Sequence, residues 1–69
     1  MNRLPVESSN LSSIGYDETT QTLEVEFKDG NIYQYFDISA AEHIGLLHSD
    51  SVGKYFSANI RNAYRYARL

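Results

Sequence analysis

The chain has 69 residues and a net charge of −3, which indicates one small domain near the lower limit for a self-sufficient core. A hydrophobic content of 42% excludes a disordered segment, and the absence of cysteine excludes disulfides and thiolate metal sites. No run approaches the roughly 18 apolar residues of a membrane span. The first residues lack the apolar stretch of a signal peptide, so we expect a cytoplasmic location and no membrane partner.

The charges are distributed unevenly along the chain. Residues 1–53 carry two basic and nine acidic residues, a net charge of −7. Residues 54–69 contain no acid and have a net charge of +4, contributed by Lys54, Arg61, Arg65 and Arg68. An asymmetry of this kind suggests an anionic partner for one surface.

Residues 1–10 are predicted to be a lead-in segment, followed by a single domain over residues 11–69. Pro5 and the cluster Ser8–Asn10 favour irregular backbone in the lead-in.

Leu11 to Asp17 is predicted to be the first strand, with Ile14 and Tyr16 on one face. Gly15 lies on the opposite face and indicates a bulge or the close approach of another backbone.

A hairpin is predicted over residues 22–36. Apolar and acidic residues alternate from Leu23 to Phe27, which is the period of a strand with one buried face and one solvent-exposed face. Asp29-Gly30 is a strong turn signal between two such runs, because glycine adopts positive φ without a Cβ clash. With the first strand, the hairpin completes a three-stranded antiparallel meander.

Two registers are open for this hairpin. With a two-residue loop, Phe27 pairs with Ile32, and the glutamine of Tyr33-Gln34-Tyr35 faces the core. With a three-residue loop that uses glycine as a bulge, Phe27 pairs with Asn31, and both tyrosines of the motif face the core. The second register is favoured, because it groups the polar side chains and buries no amide.

The remaining residues predict two helices. Ser39–Glu42 is a capping box that opens a helix reaching about His48. Its predicted core face carries Ala40, Ile44 and Leu47.

The second predicted helix is amphipathic and runs from about Val52 to Arg68. Its apolar stripe comprises Val52, Phe56, Ile60, Ala63 and Ala67, opposite the four basic residues. We therefore predict an α+β fold in the order β-β-β-α-α, with both helices packed on one face of the sheet.

The chain resembles the KTSC domain, a short bacterial module named for its occurrence at the C-terminus of some lysyl-tRNA synthetases. The resemblance runs from about Val6 to Arg68 and rests on many short motifs in the same order. They are Val6–Ser9, Ile14–Asp17, Leu23–Phe27, Gly30, the Tyr33-Gln34-Tyr35 motif, Ser51–Gly53, Tyr55-Phe56, Ile60-Arg61 and Tyr64.

Two departures from the family pattern occur at cap or packing positions. Ile38-Ser39 replaces the usual Val-Pro before the first helix, and Ser49 replaces the usual alanine before the second. The resemblance implies a domain of unknown function, for which attachment to synthetases suggests RNA binding.

The second helix provides the candidate RNA-binding surface, for tRNA or another structured RNA. Cations along one helix face could follow a phosphate backbone, and tyrosines could stack on unpaired bases for about 1–3 kcal/mol each. The alternative is a solvated helix face whose arginines are favoured by the helix dipole by about 0.3–1 kcal/mol each. The candidate residues are Lys54, Tyr55, Arg61, Arg65, Tyr66 and Arg68.

The sheet offers an alternative interaction surface. Tyr33 and Tyr35 could form a stacking platform, although the favoured register assigns them to the core. That register leaves Ile32 and Phe36 on the outer face, a possible surface for a protein partner or for self-association.

No catalytic or metal-binding pattern is present in the sequence. His43 and His48 are five residues apart, which does not place them on one helix face, and no Gly-x-Ser-x-Gly turn occurs. We expect a non-enzymatic protein without metal or cofactor.

Overall fold

The computed structural model describes residues 1–69 and contains five strands and two helices, which are joined by short loops. The strands are β1 (Leu4–Pro5), β2 (Leu11–Asp17), β3 (Thr22–Phe27), β4 (Ile32–Tyr35) and β5 (Tyr66–Arg68). The helices, α1 (Ala40–Leu47) and α2 (Val52–Asn59), both lie between β4 and β5 in the chain. Neighbouring strands are antiparallel, in the spatial order β1-β2-β3-β4-β5. The α+β class is confirmed, but the sheet has five strands where three were predicted.

The β3–β4 hairpin adopts the register with the three-residue loop. The Phe27 N–H donates to the Asn31 carbonyl at 2.9 Å, and Gly30 has a φ of 92°. Asp29 supports the turn, because its Oδ1 accepts the Asn31 N–H at 3.0 Å. Across the two strands, Val25 faces Tyr33 and Leu23 faces Tyr35. The tyrosines therefore lie on the same face as the apolar residues of β3.

The core lies between this face of the sheet, called the inner face below, and the two helices. Aliphatic side chains of β2 and β3 pack there against residues from both helices and the segments that flank them. The nine buried core residues are Leu11, Ile14, Leu23, Val25, Tyr35, Ile38, Leu46, Phe56 and Ile60.

Helix α1 begins as predicted but buries a different face. The Ser39 hydroxyl accepts the Glu42 N–H at 3.1 Å, the N-cap half of the capping box. Ile44 and Leu47, assigned to the core face, are 52% and 43% exposed, whereas Leu46 is fully buried. The contact with α2 sets this rotation: a Cβ added at Gly45 would lie 2.7 Å from the hydroxyl of Tyr55, so α2 approaches α1 on that side.

Helix α2 ends at Asn59, so the prediction of one helix to Arg68 is wrong. The Phe36 N–H donates to the Arg65 carbonyl and the Leu69 N–H donates to the Ile32 carbonyl, both at 2.9 Å. These bonds add β5 to the sheet edge that β4 would otherwise leave unpaired. Pairing with that edge overrides the helical periodicity of the segment.

The lead-in segment contributes the opposite edge of the sheet. Leu4 and Pro5 pair with Ile14 and Ser13, and proline is tolerated there because an edge strand need not donate on its free side. The Asn2 carbonyl oxygen would lie 2.5 Å from a Cβ at Gly15, which explains the glycine on this face of β2. Neither helix of the fold has the length and apolarity that crossing a bilayer requires.

Candidate nucleic-acid interface

A groove of about 330 Å³ opens on the inner face where the helices leave β4 and β5 uncovered. Four aromatic side chains and four polar or charged ones surround it. They are Phe27, Asp29, Asn31, Tyr33, Tyr35, Arg61, Asn62 and Tyr66, and we call this site the tyrosine groove.

The pairing of β4 with β5 brings the aromatic residues together. Tyr33 lies opposite Arg68, and Tyr35 lies opposite Tyr66. Because directly opposed residues project to the same side of a sheet, Tyr66 and Arg68 join the two tyrosines on the inner face. A helix through Arg68 would have carried both residues away from β4.

The three tyrosine rings lie beside one another at different depths. The centroid of Tyr66 is 5.8 Å from that of Tyr33 and 5.7 Å from that of Tyr35. Tyr66 is 59% exposed, Tyr33 is half-buried, and Tyr35 is 3% exposed and packs edge-on against Phe56. Tyr66 and Tyr33 therefore offer ring surface to a ligand, while Tyr35 supports them from the core.

The hydroxyl of Tyr35 is available to a ligand although its ring is buried. It has no hydrogen-bond partner within the protein, and no buried side-chain oxygen or nitrogen is unpaired, so the hydroxyl opens into the groove. Burial raises the pKa of Tyr35 above its usual value, against the opposing charge of Arg61. The hydroxyl is consequently a neutral hydrogen-bond donor or acceptor at neutral pH.

Two arginines lie beside the groove, one without a salt bridge and one hydrogen-bonded within the protein. Arg61 is exposed and forms no salt bridge, which leaves its guanidinium free for an anion or a base edge. Arg68 donates to the Asn31 side-chain carbonyl at 2.7 Å, and Asn31 in turn donates to Asp29 Oδ2 at 3.0 Å. This chain of contacts connects β5 to the hairpin turn.

The structure brings together part of the predicted RNA-binding set and disperses the remainder. Arg61 and Tyr66 line the tyrosine groove with the two tyrosines of the Tyr33-Gln34-Tyr35 motif. Arg68 does not line it but lies beside it on β5, opposite Tyr33. The predicted four-cation stripe on one helix does not exist, because only Lys54 belongs to α2.

The other three candidates lie elsewhere in the fold. Lys54 lines a separate open hollow beside Ser8–Asn10, and the half-buried Tyr55 packs between the helices. Arg65 lies on the opposite side of the sheet, 5.2 Å from the centre of the Phe36 ring and 3.2 Å from Asp37.

That opposite side, the outer face, is polar at its centre. Arg3 forms an ion pair with Glu24 and donates to the Ser13 hydroxyl at 3.0 Å, and Gln34 donates to Glu24 at 2.9 Å. Burial alone would raise the pKa of Glu24, but the hydrogen bonds from Gln34 and Arg3 and the charge of Arg3 hold it below its usual value.

The two apolar residues assigned to a partner surface, Ile32 and Phe36, are half-buried at the margin of this polar network. They form no continuous exposed patch with the exposed apolar residues Ile44 and Leu47 of α1, which lies on the other side of the sheet.

Sequence reasoning missed four residues of the groove: Phe27, Asp29, Asn31 and Asn62. Three of them belong to the hairpin, where their patterns indicate only a strand end and a turn. The available signal lies further along the chain, where Tyr64, Tyr66 and Arg68 alternate with other residues at the two-residue period of a strand.

Comparisons with known proteins agree with this fold. The KTSC domain family model matches residues 7–64 of the chain. The crystal structure of a KTSC domain protein from Yersinia pestis superposes with a TM-score of 0.93 at 32% identity, covering 99% of this chain and 96% of that one.

Two relatives show different lengths. A protein of Stutzerimonas stutzeri, named uncharacterized, is 40% identical over 100% of this chain and 99% of its own length. A lysine–tRNA ligase of Nostoc sp. is 36% identical over 96% of this chain, which spans only 12% of the ligase.

Proposed function

The chain belongs to the KTSC domain family, as its sequence resemblance indicates, and on this premise we propose that it binds single-stranded RNA in the tyrosine groove without catalysing a reaction. The observation that carries the proposal is the presence of Tyr33 and Tyr66 side by side on an uncovered sheet face, next to an unpaired arginine.

Aromatic rings on an open sheet suit unpaired bases. Stacking of a base on an aromatic side chain contributes about 1–3 kcal/mol in proteins that bind single strands. A duplex keeps its bases stacked on one another, so it cannot present a base face to Tyr33 or Tyr66. The proposal therefore concerns loops, bulges or ends of an RNA.

The charge distribution supports the same surface. Glu24 and Glu26 lie close to Arg3 on the outer face, and Asp37 pairs with Arg65 there. These acids lie on the side of the sheet away from the tyrosine groove, whose own lining carries one acid, Asp29, and one base, Arg61, so the net charge of −3 overstates the negative charge at the groove.

The relatives add an association with RNA. The Nostoc protein that contains a matching segment is named a lysine–tRNA ligase, and tRNA is the substrate in that name. A module within such an enzyme would meet single-stranded loops and ends of tRNA. This association supports RNA as the partner of the present chain.

The test is a fluorescence anisotropy titration of labelled single-stranded and duplex RNA at two salt concentrations. We expect binding to the single strand alone, with an affinity that falls as the salt concentration rises, by a slope of about −0.7 for each phosphate neutralised. Arg61→Gln should weaken binding, while Arg65→Gln, which removes the same charge on the outer face, should not. Equal binding of duplex and single strand, or no binding at low salt, overturns the proposal.

A further inference from the structure

We propose that the tyrosine groove holds one unpaired guanine of the bound RNA, with Arg61 on the O6 and N7 edge of the base and Asp29 on its N1–H and N2–H edge. This inference rests on the proposed RNA binding and specifies the base that the groove selects. It is carried by the placement of a lone carboxylate and a lone guanidinium in one aromatic groove.

Arg61 supplies donors at one part of the groove. It lines the groove together with Tyr35 and Tyr66, and its side chain is exposed. A guanidinium has only donors, in a planar fork that matches two neighbouring acceptors. No acid of the protein pairs with it.

Asp29 supplies acceptors at the hairpin turn. Its two oxygens each accept one bond from Asn31, at 3.0 Å from the backbone nitrogen and 3.0 Å from the side-chain nitrogen. These bonds fix the orientation of the carboxylate, and each oxygen retains a second acceptor position. No cation of the protein forms a salt bridge with it, so its negative charge would repel a phosphate but accept N–H groups of a base.

Guanine fits this pair better than the other bases. It presents two neighbouring acceptors, O6 and N7, and beside them the N1–H and N2–H donors. Adenine would instead turn its N6 amino group toward the arginine and its N1 acceptor toward the carboxylate. Cytosine and uracil offer only part of the pattern. The tyrosine faces contribute stacking that does not depend on the base, so the selection comes from Arg61 and Asp29.

The test uses labelled hexamers of uridine in which the third position is G, A, C or U, titrated by fluorescence anisotropy at low salt. The wild-type protein should prefer the G hexamer over the A hexamer by roughly tenfold. Asp29→Asn should reduce this preference to about twofold and still allow binding of the A hexamer. The amide of asparagine can accept from the N1–H and N2–H groups of guanine, but it can also donate to the N1 acceptor of adenine. Asp37→Asn, which removes the same charge on the outer face, should keep the full preference.

The outcomes separate the two proposals. Equal affinity for all four hexamers, or an unchanged preference in Asp29→Asn, overturns the selection of guanine and leaves RNA binding intact. The absence of binding to any hexamer overturns both. Guanosine monophosphate is the final competitor: an affinity equal to that of the G hexamer would assign the site to a free nucleotide and contradict the role of RNA. Thermal melts of each variant confirm that the fold is retained.

Discussion

Tyr35 and Tyr66 face each other across β4 and β5, with ring centroids 5.7 Å apart, and divide the groove into a buried floor and an exposed wall. Tyr35 belongs to the hydrophobic core, whereas Tyr66 is 59% exposed. Stability and ligand binding should therefore respond differently to changes at the two positions.

The first prediction concerns Tyr35. Tyr35→Ala should lower the free energy of unfolding by about 3–5 kcal/mol, because it leaves a cavity next to Phe56. Tyr35→Phe keeps the ring, so it should change stability by less than about 0.5 kcal/mol. The loss of the groove hydroxyl should nonetheless weaken RNA binding by about 0.5–1.5 kcal/mol. Urea unfolding and anisotropy measure the two quantities, and a strongly destabilised Tyr35→Phe would contradict an open hydroxyl.

The second prediction concerns the ion pair of Arg3 with Glu24. Glu24 is 6% exposed, so Arg3→Met would leave a nearly buried carboxylate short of a partner and should cost about 1–3 kcal/mol of unfolding free energy. Arg65→Met is the matched control, because its partner Asp37 is exposed and such pairs contribute about 0–1 kcal/mol. Equal losses in the two variants, measured by urea unfolding, would show that burial does not distinguish them.

The third prediction concerns pH. The pKa of Glu24 in the folded protein lies below 4.5, the value for an unperturbed glutamate. Its ionised form therefore stabilises the fold at pH values above the unfolded pKa, and this contribution disappears as the pH falls through the folded pKa. The advantage of the wild type over Glu24→Gln in unfolding free energy should shrink as the pH is lowered from 6 toward ~3. A constant or growing difference would contradict the assignment.

How far the sequence predicts the structure depends on how local the determinant is. The hairpin register follows from the sequence because only one pairing places Gln34 beside Glu24 and keeps both away from the core. Ser39 identifies the start of α1 for the same reason, since its cap partner is three residues away.

The fifth strand could not be predicted in this way, because it forms by pairing with β4, which is distant in the sequence. Residues 60–68 fit a helical period of 3.6 and, from Tyr64 onward, a strand period of two. Backbone pairing with the free edge of β4 selects the strand over the helix, and the sequence of residues 60–68 alone does not indicate that this edge is free. The tyrosine groove exists only once β5 is paired, so the sequence indicates its residues but not their assembly.

The fourth prediction addresses self-association through the outer face around Ile32 and Phe36. The polar network of Arg3, Glu24 and Gln34 occupies the centre of that face, so we expect sedimentation velocity to give a monomer of 7.9 kDa at rising concentration. A dimer that Ile32→Lys dissociates would instead support an interaction role for this face.

The central claim, that single-stranded RNA binds in the tyrosine groove, is tested most directly at Tyr66. Because Tyr66 is exposed, Tyr66→Ala should leave the melting temperature nearly unchanged while it removes one stacking surface. We predict a loss of about 1–3 kcal/mol in affinity for a single-stranded RNA, measured by anisotropy. Lys54→Ala, on α2 and outside the groove, should change the affinity by less than about twofold. Unchanged binding by Tyr66→Ala, or a larger loss in Lys54→Ala, would contradict the account.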